Sequence, residues 1–213
     1  MCIDRRQRGM TLIELIVFIV IVSVALAGIL TVFNITTKSS ADPMIRKQML
    51  SIAEGLLEEV MSQPFTWCDP NDLPQAETAT AATETAGCSV GLVQSFGQPS
   101  GQVRSPTFTF NNVANYCSTQ TGGSSCSTLT LPYPIPDVSN THYAPTGYSA
   151  AIDLTAEALG GISSGAPTAT DATAMNVLRI TVTVCHATSC PSAGSDSIIL
   201  EGYRTRHSPN MLP

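Results

Sequence analysis

Glu14 is the residue that demands an explanation. It stands at the head of R-G-M-T-L-I-E-L-I-V-F-I-V-I-V-S-V-A-L-A-G-I-L-T-V-F, and residues 15–33 after it are 19 positions without a charge, only Ser23 and Thr31 bearing hydroxyls. A carboxylate at the edge of an apolar helix costs on the order of a few kcal/mol unless it is neutralised or paired. Cutting the chain after Gly9 supplies a partner. Met10 then carries a free α-amino group, with Glu14 as the fifth residue, one helical turn away. The amine of one copy can pair with Glu14 of a neighbour where helices lie side by side in lipid, because low polarity strengthens the attraction.

The cysteines are the second set with chemical potential. Seven are present, but Cys2 lies before Gly9, so cleavage leaves Cys68, Cys88, Cys117, Cys126, Cys185 and Cys190. On the far side of a membrane such thiols become oxidised. Six cysteines allow about 15 pairings, and closing the shortest loops in order gives Cys68–Cys88, Cys117–Cys126 and Cys185–Cys190. A zinc site in C-H-A-T-S-C (residues 185–190) is the alternative, but its four-residue gap and the lack of a second pair fit zinc poorly.

Catalytic constellations are missing. The chain has no G-x-S-x-G, no phosphate-cradling glycine loop and no H-E-x-x-H. His142, His186 and His207 fall in loops with no suitably spaced nucleophile or carboxylate, and Asp153 with Glu157 reads as solvated acids at a strand end. The expectation is a protein that is not an enzyme, with no cofactor and no metal.

These groups need elements to position them. At 1.5 Å per residue, the 19 apolar positions make a helix of roughly 28 Å, the thickness of a bilayer's hydrocarbon core. Arg5, Arg6 and Arg8 precede it and only Lys38 follows in the next ten residues, which places the N-terminus in the cytoplasm and the rest of the chain across the membrane. Two other readings of the stretch stay open: a secretory signal cut after Ala25-Leu26-Ala27, and a plain uncut anchor. Twin-arginine export lacks its pattern after Arg5-Arg6, and Cys2 precedes the apolar run, so it is not a lipoprotein cysteine.

The run R-G-M-T-L-I-E-L with its apolar helix resembles the N-terminus of type IV prepilins and pseudopilins. The resemblance implies cleavage after Gly9 by a prepilin peptidase, methylation of the new terminus at Met10, and use of Glu14 in subunit assembly. It also implies other pilins, the inner-membrane assembly machinery and membrane lipid as partners. Met10 stands where major pilins usually have Phe, and Thr31 where many have a helix-breaking Pro; both departures suit a minor pilin or a pseudopilin. The D-P-M-I-R-K-Q, L-L-E-E-V, P-F-T-W-C-D-P and L-E-G-Y-R-T-R segments are similar to minor pilins of the mannose-sensitive haemagglutinin (MSHA) pilus. A pseudopilin of a type II secretion system, and an anchored periplasmic binding or adhesion domain that never polymerises, are the rival functions.

Downstream, Asp42-Pro43 marks either a helix start or a bend in one long helix. Ile45, Met49, Ile52, Ala53, Leu56, Leu57 and Val60 form one stripe, with Arg46, Lys47, Glu54 and Glu58 opposite, and the helix should stop by Gln63. Arg46 and Lys47 against Glu58 and Glu59 suggest basic and acidic collars that meet between stacked copies. Trp67 is expected to pack on a disulfide. Residues 76–87 and 160–173 read as mobile loops and 119–125 as a loop tip. Strands are expected near 106–110, 128–131, 148–154, 176–185 and 196–203, the last two as a hairpin, with a basic frayed tail after them. In strand 176–185, Leu178, Ile180, Val182 and Val184 share one face.

The expected fold is therefore α+β and pilin-like: a long N-terminal helix, membrane half plus amphipathic half, packed on a small antiparallel sheet. Its parts are a leader at 1–9, a membrane and assembly helix at 10–33, its amphipathic continuation at 34–63, and an exported disulfide-containing domain at 64–213. Removing the leader takes the formal charge from −6 to −8, and between positions 64 and 178 Arg104 is the single base against eight acids. Such a surface excludes nucleic acid, whose phosphates need clustered Lys and Arg.

Overall fold

A computed structural model describes residues 10–97, 104, 110–118, 126–168, 170–190, 196–207 and 210, with the side chains of 35–42 excepted. Arg5, Arg6, Arg8, Gly9 and Cys2 lie outside these residues, as do the expected loop tip at 119–125 and all of the expected 106–110 strand except Phe110. Contacts divide the chain into one unit up to Ile45 and another from Arg46 onward.

The first unit is helical. Helix α1 runs Leu12–Ser62 and passes through Pro43, so Asp42-Pro43 begins no new helix. Within it Leu12–Asn34 has a mean hydropathy of 3.0, and none of its most apolar window is buried by the protein. Its two hydroxyls need no outside partner: Ser23 Oγ donates to the Ile19 carbonyl at 2.7 Å and Thr31 Oγ1 to the Ala27 carbonyl at 2.9 Å. Such bonds to the preceding turn leave no orphan polar group for lipid to reject.

In the second unit the stripe on α1 behaves as its spacing requires. Met49, Ala53, Leu56 and Val60 are buried, while Arg46, Lys47, Glu54 and Glu58 are exposed. Four strands, β1 (Leu129–Thr130), β2 (Ser149–Ala156), β3 (Val177–Cys185) and β4 (Ser197–Thr205), follow one another as an antiparallel meander. Leu178, Ile180, Val182 and Val184 of β3 are all fully buried, and Arg179, Thr181 and Thr183 are less so. Each such side chain contributes about 1.5–3 kcal/mol by leaving water. Gly202 lets β4 approach the helix, since a Cβ there would stand 3.2 Å from Leu57 Cδ1 and 3.5 Å from Met61 Sδ.

Three expectations are corrected. Residues 76–87 are not a mobile loop: Gln75–Thr78 forms a helical turn, and Ala76, Ala79 and Ala82 are buried. Alanine is too small to signal a core in sequence, yet it fits where backbones meet, and here Thr83 bridges Asp171 while Ala172 N–H donates to the Ala82 carbonyl at 2.9 Å. The described part of 160–173 is likewise built. Leu159 and Ile162 exchange hydrogen bonds of 3.1 and 2.9 Å across Gly160 and Gly161, whose φ values of 58° and 88° suit glycine in a two-residue hairpin turn. The start of the tail is not frayed: Arg204 Nη2 donates to the Gln63 carbonyl, and Asn210 Nδ2 to the Ala79 carbonyl at 2.9 Å.

A fourth correction concerns the acidic collar. Glu59 is half-buried and committed inside the domain, bonded through both oxygens to Arg104 at 2.7 and 2.6 Å and accepting from Tyr116 Oη at 2.9 Å. Arg104 Nη1 also donates to the Pro136 carbonyl. The triad ties α1 to three separate loop segments, and it leaves Glu58, not Glu59, facing solvent. Removing one partner of a pair this buried strands the other, at a cost of about 3–5 kcal/mol. Arg104→Ala should therefore lower the thermal midpoint of the detergent-solubilised chain by more than 5 °C, roughly the shift such a loss implies; a change within 1–2 °C, about the effect of an exposed pair, would contradict the triad's role.

Candidate functional site

The functional segment begins at Met10. Its side chain is 70% exposed, and those of Leu12 and Ile13 are similarly open. Thr11 caps the helix: the Glu14 N–H donates to the Thr11 carbonyl at 3.1 Å and reaches Thr11 Oγ1 at 3.4 Å. Thr11-x-x-Glu14 is thus the spacing of a capping box, in which a carboxylate at the third helical position also lies favourably in the N-terminal dipole. Sequence reading passed over this local role. It holds Glu14 in the first turn with its carboxylate exposed, leaving that group available to a second helix.

Residues 4–30 match the family model described as the prokaryotic N-terminal methylation motif. No curated protein and no solved structure matches the chain. The motif, the apolar helix and the four-stranded antiparallel sheet together support a pilin-like protein of the type IV pilin and pseudopilin kind, and they point to a structural protein, not an enzyme. The motif implies processing by a prepilin peptidase and use by pilin assembly machinery, and with one N-terminal apolar helix it fits a single-pass membrane-anchored protein.

Two disulfides are present, Cys68–Cys88 and Cys185–Cys190. The third expected bond is not: Cys117 and Cys126 are buried thiols. They do meet, because Ser118 N–H donates to the Ser127 carbonyl at 3.2 Å and zips the flanking chain. The thiols share a hydrogen bond, which lowers the Cys126 pKa more than burial raises it. Sequence spacing located the encounter but carried no information about the oxidation state. Trp67, expected on a disulfide, is half-buried, and its carbonyl accepts from Gln94 N–H at 2.9 Å.

Cys68, Asp72 and Cys88 bring three potential metal-ligand atoms together, but both sulfurs are joined to each other and Asp72 accepts from Ser89 N–H at 2.8 Å. Asp153 and Glu157 do not act together: Asp153 binds Thr128 Oγ1, while Glu157 pairs with Arg179, which also reaches Glu201 at 2.9 Å. His186 stacks at a tilt on Tyr148, with ring centroids 5.2 Å apart.

His142 departs from expectation, since Asp137 Oδ2 lies 3.2 Å from its Nδ1. Ser139 completes an apparent serine–histidine–aspartate group, but its Oγ donates to Asp137 at 2.7 Å instead of approaching His142. Asp137 Oδ1 also accepts from Thr141 N–H at 3.1 Å. Thr141 Oγ1 also lies 3.0 Å from His142 Nδ1, the same nitrogen that meets Asp137, so the cluster is a turn organised by one carboxylate and not a relay through the ring. Bonding from Ser139, then from the His142 and Thr141 backbone, holds the Asp137 carboxyl down to about 2. A depressed carboxyl stabilises its turn above the unfolded value of about 4 and loses that contribution as pH falls toward the folded value. Hydrogen exchange at the Thr141 and His142 amides should stay slow at pH 5 and accelerate between about pH 4 and pH 2 beyond the trend of the other amides; Asp137→Asn should remove that pH step.

Two buried groups went unseen in the sequence. Tyr116 has its phenol pushed far up, by burial first and then by Glu59, so it stays a neutral donor. Arg206 lies with its guanidinium 4.3 Å over the Phe65 ring, and burial lowers its pKa to about 9. An arginine within the basic run 204–207 gives no sequence signal for such burial.

Proposed function

We propose that the chain is a minor type IV pilin of the MSHA kind, similar to minor pilin D of that system, made as a prepilin. The peptidase cuts between Gly9 and Met10, and Met10 is methylated. Residues 1–9 are the leader, 10–33 the membrane and assembly helix, 34–63 its amphipathic continuation and 64–213 the exported domain. The subunit sits in the inner membrane with its N-terminus cytoplasmic and its domain periplasmic, then moves into a pilus at the cell surface, where a role in adhesion would fall to the exported domain.

The observation that carries this reading is Glu14 in the first turn of a helix whose following residues are apolar and open to lipid on every side. A simple anchor gains nothing from a carboxylate there. A subunit that must find its register against identical helices does, because a single buried charge pair has one favourable alignment and many costly ones. In transit, residues 15–33 hold the subunit in lipid; in the fibre the same surface becomes a core. The departures at Met10 and Thr31 favour a minor subunit or a type II secretion pseudopilin over a main fibre subunit, and the pseudopilin is the second reading for that reason.

Glu14→Ala should leave expression and membrane insertion unchanged while reducing recovery of the chain in sheared pilus fractions at least about tenfold, the effect of 1.4 kcal/mol per contact. Equal recovery of the variant would make the protein a non-polymerising anchored domain.

A further inference from the structure

The second unit carries an open groove of about 740 Å³ between α1 and the loop at 135–144. Ile52, Gly55 and Leu56 line it from the helix, and Ile135, Val138 and Tyr143 from the loop. Both walls are fixed within the domain. The Pro136–Tyr143 bridge closes the loop on itself, and Ala144 N–H donates to the Ile135 carbonyl at 2.8 Å. Arg104 joins the walls, holding Glu59 of the helix and the Pro136 carbonyl of the loop. Val138 and Tyr143 stay 39% and 55% exposed, so the apolar lining continues out to solvent, as at surfaces that meet a partner.

Glu58 stands on the rim, with Glu54 one turn before it, and both are exposed. Like charges four residues apart repel, and acids near a helix C-terminus oppose its dipole. The last turn of α1 has no base to offset them. Among the described residues Glu58 has no ion-pair partner: Arg104 and Arg179 are already paired, and His142 on the rim meets Asp137. From position 43 onward the residues outside the description include no Lys or Arg, so the stretches flanking Arg104 cannot supply one. The complement lies earlier on the same helix. Lys47 and Leu50 are exposed one turn apart, and Lys47 likewise has no ion-pair partner among the described residues. No acid stands three or four positions from Lys47 in the sequence. Glu58 of its own chain is eleven residues on, roughly 16.5 Å along the axis and beyond a lysine's reach.

We propose that this groove is an interface between copies of the chain, in which Leu50 of one copy seats in the groove of the next while its Lys47 meets Glu58 and Glu54. Groove and occupant are different patches, so a copy whose groove is filled still presents its own Lys47, and the contact can repeat. An exposed ion pair alone adds little. The apolar contact supplies the affinity, and the charges set the register.

The test uses the full chain in non-ionic detergent at low salt, with association followed by sedimentation over a range of concentrations. Lys47→Glu and Glu58→Lys should each weaken association at least about tenfold, since each sets like charges together. Mixed in equal amounts, the two variants should recover it, because the reversed charge of one meets the reversed charge of the other. Gly55→Leu should abolish association without lowering the thermal midpoint, as a Cβ there meets nothing within 4 Å and leucine favours helix over glycine. A wild-type chain that stays monomeric, association that ignores both reversals, or a mixture that recovers nothing overturns the proposal. So does a lower midpoint for Gly55→Leu with association unchanged, the pattern expected if residues 98–103 or 105–109 of the same chain fill the groove. Glu14→Ala is scored on pilus fractions, so failure here leaves the Glu14 reading untouched.

Discussion

A charge that has to live beside lipid governs this molecule. Glu14 is held in the first turn of α1 by its own backbone and by the Thr11 cap, and the apolar surface that follows has no cover within the protein. The hydroxyls of Ser23 and Thr31 are satisfied internally by carbonyls one turn back. Among the described side chains of residues 12–33, Glu14 is therefore the one whose polar chemistry points outward. The physics favours a cationic partner on another helix, since only a pair suppresses the cost of a carboxylate in a medium of low polarity.

The second unit answers the same constraint differently. At Glu59 it accepts a buried charge and pairs it. Glu59 looks from sequence like one of two adjacent surface acids, yet the helical turn aims it at Arg104 and Tyr116 and aims Glu58 away. The consequence for assembly is specific. On the stretch of α1 from Arg46 onward, Arg46, Lys47, Glu54 and Glu58 are the exposed charges, while Glu59 is occupied within its own domain.

Legibility from sequence followed the size of the physical signal. The apolar run, the stripe through Met49, Ala53, Leu56 and Val60, and the alternation in β3 were all readable, because each repeats one energetic choice many times over. The 76–87 and 160–173 segments were misread because their cohesion comes from alanines fitted against backbone and from glycine turns, which look like low complexity. Cys117 and Cys126 were matched as neighbours, while their state as thiols lay beyond any spacing argument. The Thr11 cap, the Asp137 turn and the buried edge of Arg206 each depend on contacts between residues that no local pattern joins, or on a short motif that the larger charge question obscured. At the candidate site, the roles of Gly9, Met10 and Glu14 are proposals read from sequence, and the structure adds how the first turn around Glu14 is fixed.

The decisive measurement is the N-terminal sequence and intact mass of the chain purified from membranes. The account requires a mature chain that begins at Met10 with one added methyl group. A chain that keeps Arg5, Arg6 and Arg8, or one that begins at Gly28, would leave Glu14 without an amine to meet and contradict the account at its root.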